Sequence, residues 1–186
     1  MTNLRKRRER GATLVEMALV APMFFLALFA VIELGMAFKD YLTVSSGARD
    51  GARAGSVFGN DQRADILILR GVQNSLAVGG VGGTDQVRVA ISDPDGGAST
   101  TYTYRPGTGC SGGNCCDWEP CPDPAFPGPI YQVPSWNPVT RDVSAPFTDR
   151  INVQVSYDHK WLTRLFFSTS TFTVGVTHQI EPQVFE

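Results

Sequence analysis

Four cysteines, Cys110, Cys115, Cys116 and Cys121, stand as C-x4-C-C-x4-C in GTGCSGGNCCDWEPCPDPAFPGP, residues 107–129. Thiols so spaced can oxidise, bind a metal or stay free. Glycine and proline leave the segment little regular structure, so a covalent staple is the expected role. Disulfides form in exported proteins, and four cysteines allow three connectivities. Joining Cys115 to Cys116 strains the backbone, so Cys110 and Cys121 are expected to bond to the two middle cysteines. A four-cysteine zinc site fits this spacing poorly, because zinc knuckles use two-residue gaps and adjacent ligands crowd the metal.

The next residue of interest is Glu16, a carboxylate inside GATLVEMALVAPMFF. A charge inside an apolar span is a functional candidate by default. The two histidines, His159 and His178, have no motif partner, and Asp158-His159 reads as an ordinary turn. There is no phosphate loop, zinc-helix motif or nucleophile elbow. No catalytic residue, cofactor or metal is expected, and the chain is read as non-enzymatic.

These residues need elements to hold them. The chain has 186 residues and a net charge of −2, which does not suggest nucleic-acid binding. The charge is uneven: residues 1–11 hold five bases and one acid, net +4, leaving −6 for the rest. Ala12 to Phe38 then carries only Glu16 and Glu33 as charges. As a helix these residues span roughly 40 Å at ~1.5 Å each, against a bilayer core about 30 Å thick. The basic cluster on the N-terminal side keeps that end in the cytoplasm and exports the C-terminal portion. A cleaved secretory signal and a plain anchor are the competing readings of the segment.

Cutting on the cytoplasmic side, after Gly11, would explain Glu16. Ala12 would then carry a new α-ammonium at the edge of the bilayer. Glu16 follows four residues later on the same helical face and could neutralise it, in its own chain or in a neighbouring subunit. Pro22 lacks an N–H and is expected to kink the helix. Glu33 lies about 31 Å beyond Ala12 at ~1.5 Å per residue, at the outer edge of the bilayer, where a carboxylate reaches water. Ala48, Gly51, Ala52 and Gly55 place small residues at three- and four-residue spacing, a face that another backbone can approach.

Gly11 and Glu16 after a basic leader resemble the processing site of type IV pilins. The stretch from Gly11 to Gly55 resembles the TadE-like family of pilin-like proteins of the tight adherence (Flp) pilus system. The features that carry this are Gly11, Glu16, Pro22, Glu33-Leu34-Gly35 and the run Ala48 to Arg53. The resemblance implies a dedicated prepilin peptidase cutting between Gly11 and Ala12, with pilin subunits and the assembly machinery as partners. Flp major pilins are very small and have tyrosine after the glutamate. Met17 stands there in this chain, and a large domain follows, so a minor pilin or pseudopilin is implied. The expected location is the bacterial inner membrane, single-pass, or the pilus itself. The alternative is a membrane-anchored extracytoplasmic binding domain unrelated to pili.

The expected organisation is a leader over residues 1–11, a transmembrane and assembly helix over 12–55, and an exported α+β domain over 56–186. In that domain Asp61 caps a helix from Gln62 to about Ala77, ended by Gly79. Val87, Val89 and Ile91 alternate as a strand, Asp93 to Gly97 turns, and Thr100 to Tyr104 returns. Ile151 to Tyr157 and Phe172 to Ile180 supply two more strands. Together they make a small antiparallel sheet with two helical elements. Trp161, Leu162, Leu165, Phe166 and Phe167 form an apolar connection read as core or membrane-facing packing. Trp118, Phe126, Tyr131 and Trp136 are expected either to cover the core or to contact a partner.

Overall fold

The apolar run and the small-residue run form a single helix. The computed structural model describes residues 2–81, 86–111, 114–125, 132–163 and 168–182, with side chains from Thr13 onward except at 107–111, 114 and 115. Helix α1, Thr2–Phe58, has 57 residues and is continuous through Pro22. At ~1.5 Å per residue it is about 86 Å long. Its two halves differ in burial. Large apolar side chains from Leu14 to Leu34 are exposed, whereas Ala37, Asp40, Val44, Ala48 and Ala52 are buried at helical spacing. The stripe of burial marks where the rest of the chain docks.

Helix α2, Ala64–Val78, packs along α1. It buries Ile66, Ile68, Leu69, Val72 and Leu76 on one side, and Gly79 forms its C-terminal cap. Its start differs from expectation by two residues. Asp61 accepts a hydrogen bond from the Arg63 N–H at 2.6 Å, which closes a turn ahead of the helix and leaves α2 to begin at Ala64.

Among the described residues five antiparallel strands follow: β1 Val87–Ser92, β2 Ser99–Ser111, β3 Asn114–Glu119, β4 Arg150–Lys160 and β5 Thr169–Gln179. Their spatial order is β3-β2-β1-β4-β5. Because strand side chains alternate between faces, Val87, Val89 and Ile91 of β1 and Ile151, Val153 and Val155 of β4 all point to one side, fully buried. That face meets α1 and α2. Each such side chain fully removed from water contributes about 1.5–3 kcal/mol. The result is an α+β domain, one layer of two helices on one sheet, to which α1 adds its own distal half.

Two expectations need correction. The first returning strand runs well beyond Tyr104, to Ser111, and the cysteine segment is not a loop throughout: β2 and β3 form a hairpin across it. The ladder breaks between Tyr104 and Gly109 and resumes at Gly109, paired with Cys116. Pro106 falls in that break, where a residue with no N–H costs no ladder bond. Asp158-His159 is also not a turn; both residues lie in β4, paired with Thr171 and Ser170. The turn at Asp93–Gly97 forms as expected, with Gly97 at φ +72° and its N–H donating to the Asp93 carbonyl at 3.1 Å.

Candidate functional site

The surface most unlike that of a soluble domain is the N-terminal half of α1. From Thr13 the helix is long and apolar enough to cross a membrane, and the most apolar window, of mean hydropathy 2.4, has none of its residues buried against the chain. An uncovered apolar surface this large marks an interaction site. Glu16 projects from it, exposed. Ala12 and Gly11 lie in the helical backbone, but their side chains are outside the described residues.

The distal half of α1 is a dock. Gly51 faces α2 and β4 so closely that an added methyl would sit 2.6 Å from Val72 Cγ2 and 3.3 Å from Val153 Cγ1. At Gly55 the same methyl would meet Ile151 Cδ1 at 2.9 Å. Gly71 of α2 returns the fit, with the Asp50 carbonyl oxygen 3.4 Å from its absent Cβ. Ala48, Gly51, Ala52 and Gly55 therefore bring backbone against α2 and the sheet within one subunit.

Polar contacts fix the same joint. His159 Nδ1 lies 2.8 Å from Asp40 Oδ2, both buried. Two turns toward the N-terminus, Glu33 accepts from the Thr163 N–H and, at 3.1 Å, from its hydroxyl. The sequence reading missed both pairs, because each joins positions at least 119 residues apart. A carboxylate two turns from another on an otherwise apolar helix was the available signal.

A second buried cluster ties the 132–149 segment to the helices. Arg141 donates to Asp65 at 2.5 Å and to the Trp136 carbonyl at 3.2 Å, with its guanidinium 4.4 Å from the centre of the Trp136 ring. The Tyr102 hydroxyl donates to the other Asp65 oxygen at 2.7 Å. Burial first, then the Asp65 charge, holds the Tyr102 hydroxyl well above its ordinary pKa. Enclosed on every side, the cluster stabilises the fold and offers a substrate no approach.

Cys116 and Cys121 form a disulfide. That bond spends two of the four thiols and excludes a four-cysteine zinc site. The Cys110 and Cys115 side chains lie outside the described residues. Trp118 and Trp136 are 3% and 8% exposed, so they cover the core and present nothing to a partner. Phe126, Tyr131, Leu165, Phe166 and Phe167 lie outside the described residues. Among the described residues no three potential metal ligands come together.

Residues 11–53 match the family model described as TadE-like protein. This segment is TadE-like. The match covers under a quarter of the chain, and it takes in parts of both the exposed and the docked half of α1. It begins at Gly11, includes the exposed apolar surface, and ends at Arg53 within the dock. It is consistent with a protein of the tight adherence pilus system, a structural, pilus-associated family. No curated protein and no solved structure matches the chain.

Proposed function

We propose that this chain is a minor pilin or pseudopilin that assists assembly of a tight adherence pilus, acting as a structural subunit and not as an enzyme. The observation that carries the reading is α1 itself: a TadE-like helix whose first half is apolar and uncovered while its second half is built into a folded head. One half is free to sit in lipid and then among other pilin helices; the other carries the head along.

The basic leader over residues 1–11 stays in the cytoplasm and the head is exported. A prepilin peptidase cuts between Gly11 and Ala12. The new ammonium at Ala12 and the Glu16 carboxylate, four residues apart on one face, then neutralise each other or pair between neighbouring subunits. An isolated charge at mid-membrane costs on the order of 2.5–3.5 kcal/mol on insertion scales, so pairing favours packing of pilin helices side by side. Pro22, with no N–H to give, supplies a point where the helix bends as it leaves the bilayer.

Two measurements test this. N-terminal sequencing of membrane-extracted protein should begin at Ala12; a start at Met1 or Thr2 removes the processing step. Glu16→Gln should impair filament assembly and co-purification with pilins while membrane insertion persists. Unchanged assembly would favour a membrane-anchored binding domain outside the pilus.

A further inference from the structure

Glu33 and Asp40 are seven residues apart on α1, two turns along one face at ~3.6 residues per turn. Each meets the same piece of chain: Asp40 binds His159 near the end of β4, and Glu33 binds Thr163 just past it. The chain leaving β4 therefore descends along α1, from the docked half to the exposed apolar half. At Thr163 it is level with Glu33, within a turn of Leu34, which is 62% exposed. Thr163 and Phe29 line one apolar cleft. Leu162, between the two contacts, is 71% exposed. Trp161 is half-buried, its indole N–H donating to Ser170 Oγ at 2.8 Å.

We propose that the turn Trp161–Thr163 is a second membrane contact of the head, seated in the outer headgroup and upper acyl layer of the bilayer that α1 crosses, with Glu33 as its tether. The proposal rests on the reading of α1 as a membrane span. The occupant follows from continuity: the exposed Leu162 adds to the apolar surface of α1 at the level of Glu33, where the charge-free run that follows Glu16 ends. Tryptophan suits this layer, with an apolar ring and one polar edge. Glu33 suits it too. A carboxylate that accepts two hydrogen bonds from Thr163 is less costly at the lipid boundary than a bare one. Two contacts on one helix face fix the height of the head and its rotation about α1, so the head cannot swing freely above the lipid.

The chain has three tryptophans, and the other two, Trp118 and Trp136, are buried in the head. Emission quenching by lipid therefore isolates Trp161. The full chain would be reconstituted in phosphatidylcholine vesicles with and without acyl chains brominated near the headgroup. Brominated lipid should quench part of the emission, and Trp161→Phe should abolish that quenchable part. Glu33→Ala should reduce it at least twofold. Absence of quenching in carbonate-resistant protein, or quenching that survives Trp161→Phe, overturns the membrane contact alone. Undiminished quenching in Glu33→Ala overturns the tether. Release of the wild-type chain by alkaline carbonate overturns the spanning reading of α1, and the proposal with it.

Discussion

His159 Nδ1 and Asp40 Oδ2 stand 2.8 Å apart at the joint between the long helix and the sheet. The imidazole is packed among the rings of Tyr157, Trp161 and Phe172, with centroids 5.0–6.5 Å away. In that apolar shell Asp40 gives the ring nitrogen a strong partner. Asp40→Ala should leave the nitrogen buried without it and destabilise the head by about 1–3 kcal/mol. Asp40→Asn keeps a hydrogen bond and should cost less. Denaturant midpoints in detergent would rank the two; an Asp40→Ala protein as stable as wild type would show that the pair contributes nothing to docking.

Arg141 and Asp65 should behave differently when changed singly and together. The Arg141 side chain is fully buried, and that of Asp65 is 2% exposed. Removing one partner strands the other charge, so Arg141→Met alone should cost about 3–5 kcal/mol. Replacing both, Arg141→Met with Asp65→Leu, removes the stranded charge. The double variant should be more stable than either single one, as read from a double-mutant cycle of urea unfolding. Additive losses would argue that the two side chains act independently.

Alkaline pH tests the same cluster through Tyr102. Its folded pKa is raised, by burial first and by the Asp65 charge second. The unfolded chain therefore releases this proton first, near the ordinary value of about 10. Stability from this group is complete below that pH and declines as pH rises beyond it, because the unfolded state then binds fewer protons. The slope is about 1.4 kcal/mol per pH unit for each such group. Tyr104 and Tyr157 are also raised, each by burial first. Tyr102→Phe should make the loss of stability between pH 10 and 11 shallower by about one group's share. An unchanged slope would remove Tyr102 as its source.

Which parts were legible in the sequence follows from range. Val87, Val89 and Ile91 announce β1 by alternation, and the end of α2 at Gly79 is a local cap. The exposed apolar span of α1 is a composition signal. The β2–β3 hairpin was hidden because glycine and proline carry no strand preference; the neighbouring strand supplies the ladder there, with a break around Pro106. Arg141 and Asp65 carry no local sign of pairing, and only the fold brings them together across 76 positions. For Asp40–His159 and Glu33–Thr163 the spacing of the two carboxylates on α1 was a signal, but their partners, at least 119 residues away, were not legible. The dock of Ala48 to Gly55 was readable as a close-approach face, but the sequence could not say whether the partner was internal.

That last distinction can be tested by size. At Gly51 an added methyl would collide with Val72 Cγ2 at 2.6 Å, whereas among the described residues nothing lies within 4 Å of the corresponding position at Gly35. Overpacking a tight core costs typically about 1–3 kcal/mol. Alanine recovers up to about 1 kcal/mol of that through helix propensity, so a larger residue is the cleaner probe. Gly51→Val should destabilise the isolated head by that overpacking amount and lower its melting temperature. The size-matched Gly35→Val should not lower melting, since that position lies on the uncovered half. If Gly51→Val melted like wild type and failed only in filament assembly, the face would serve a neighbouring subunit and the packing within this chain would be incidental.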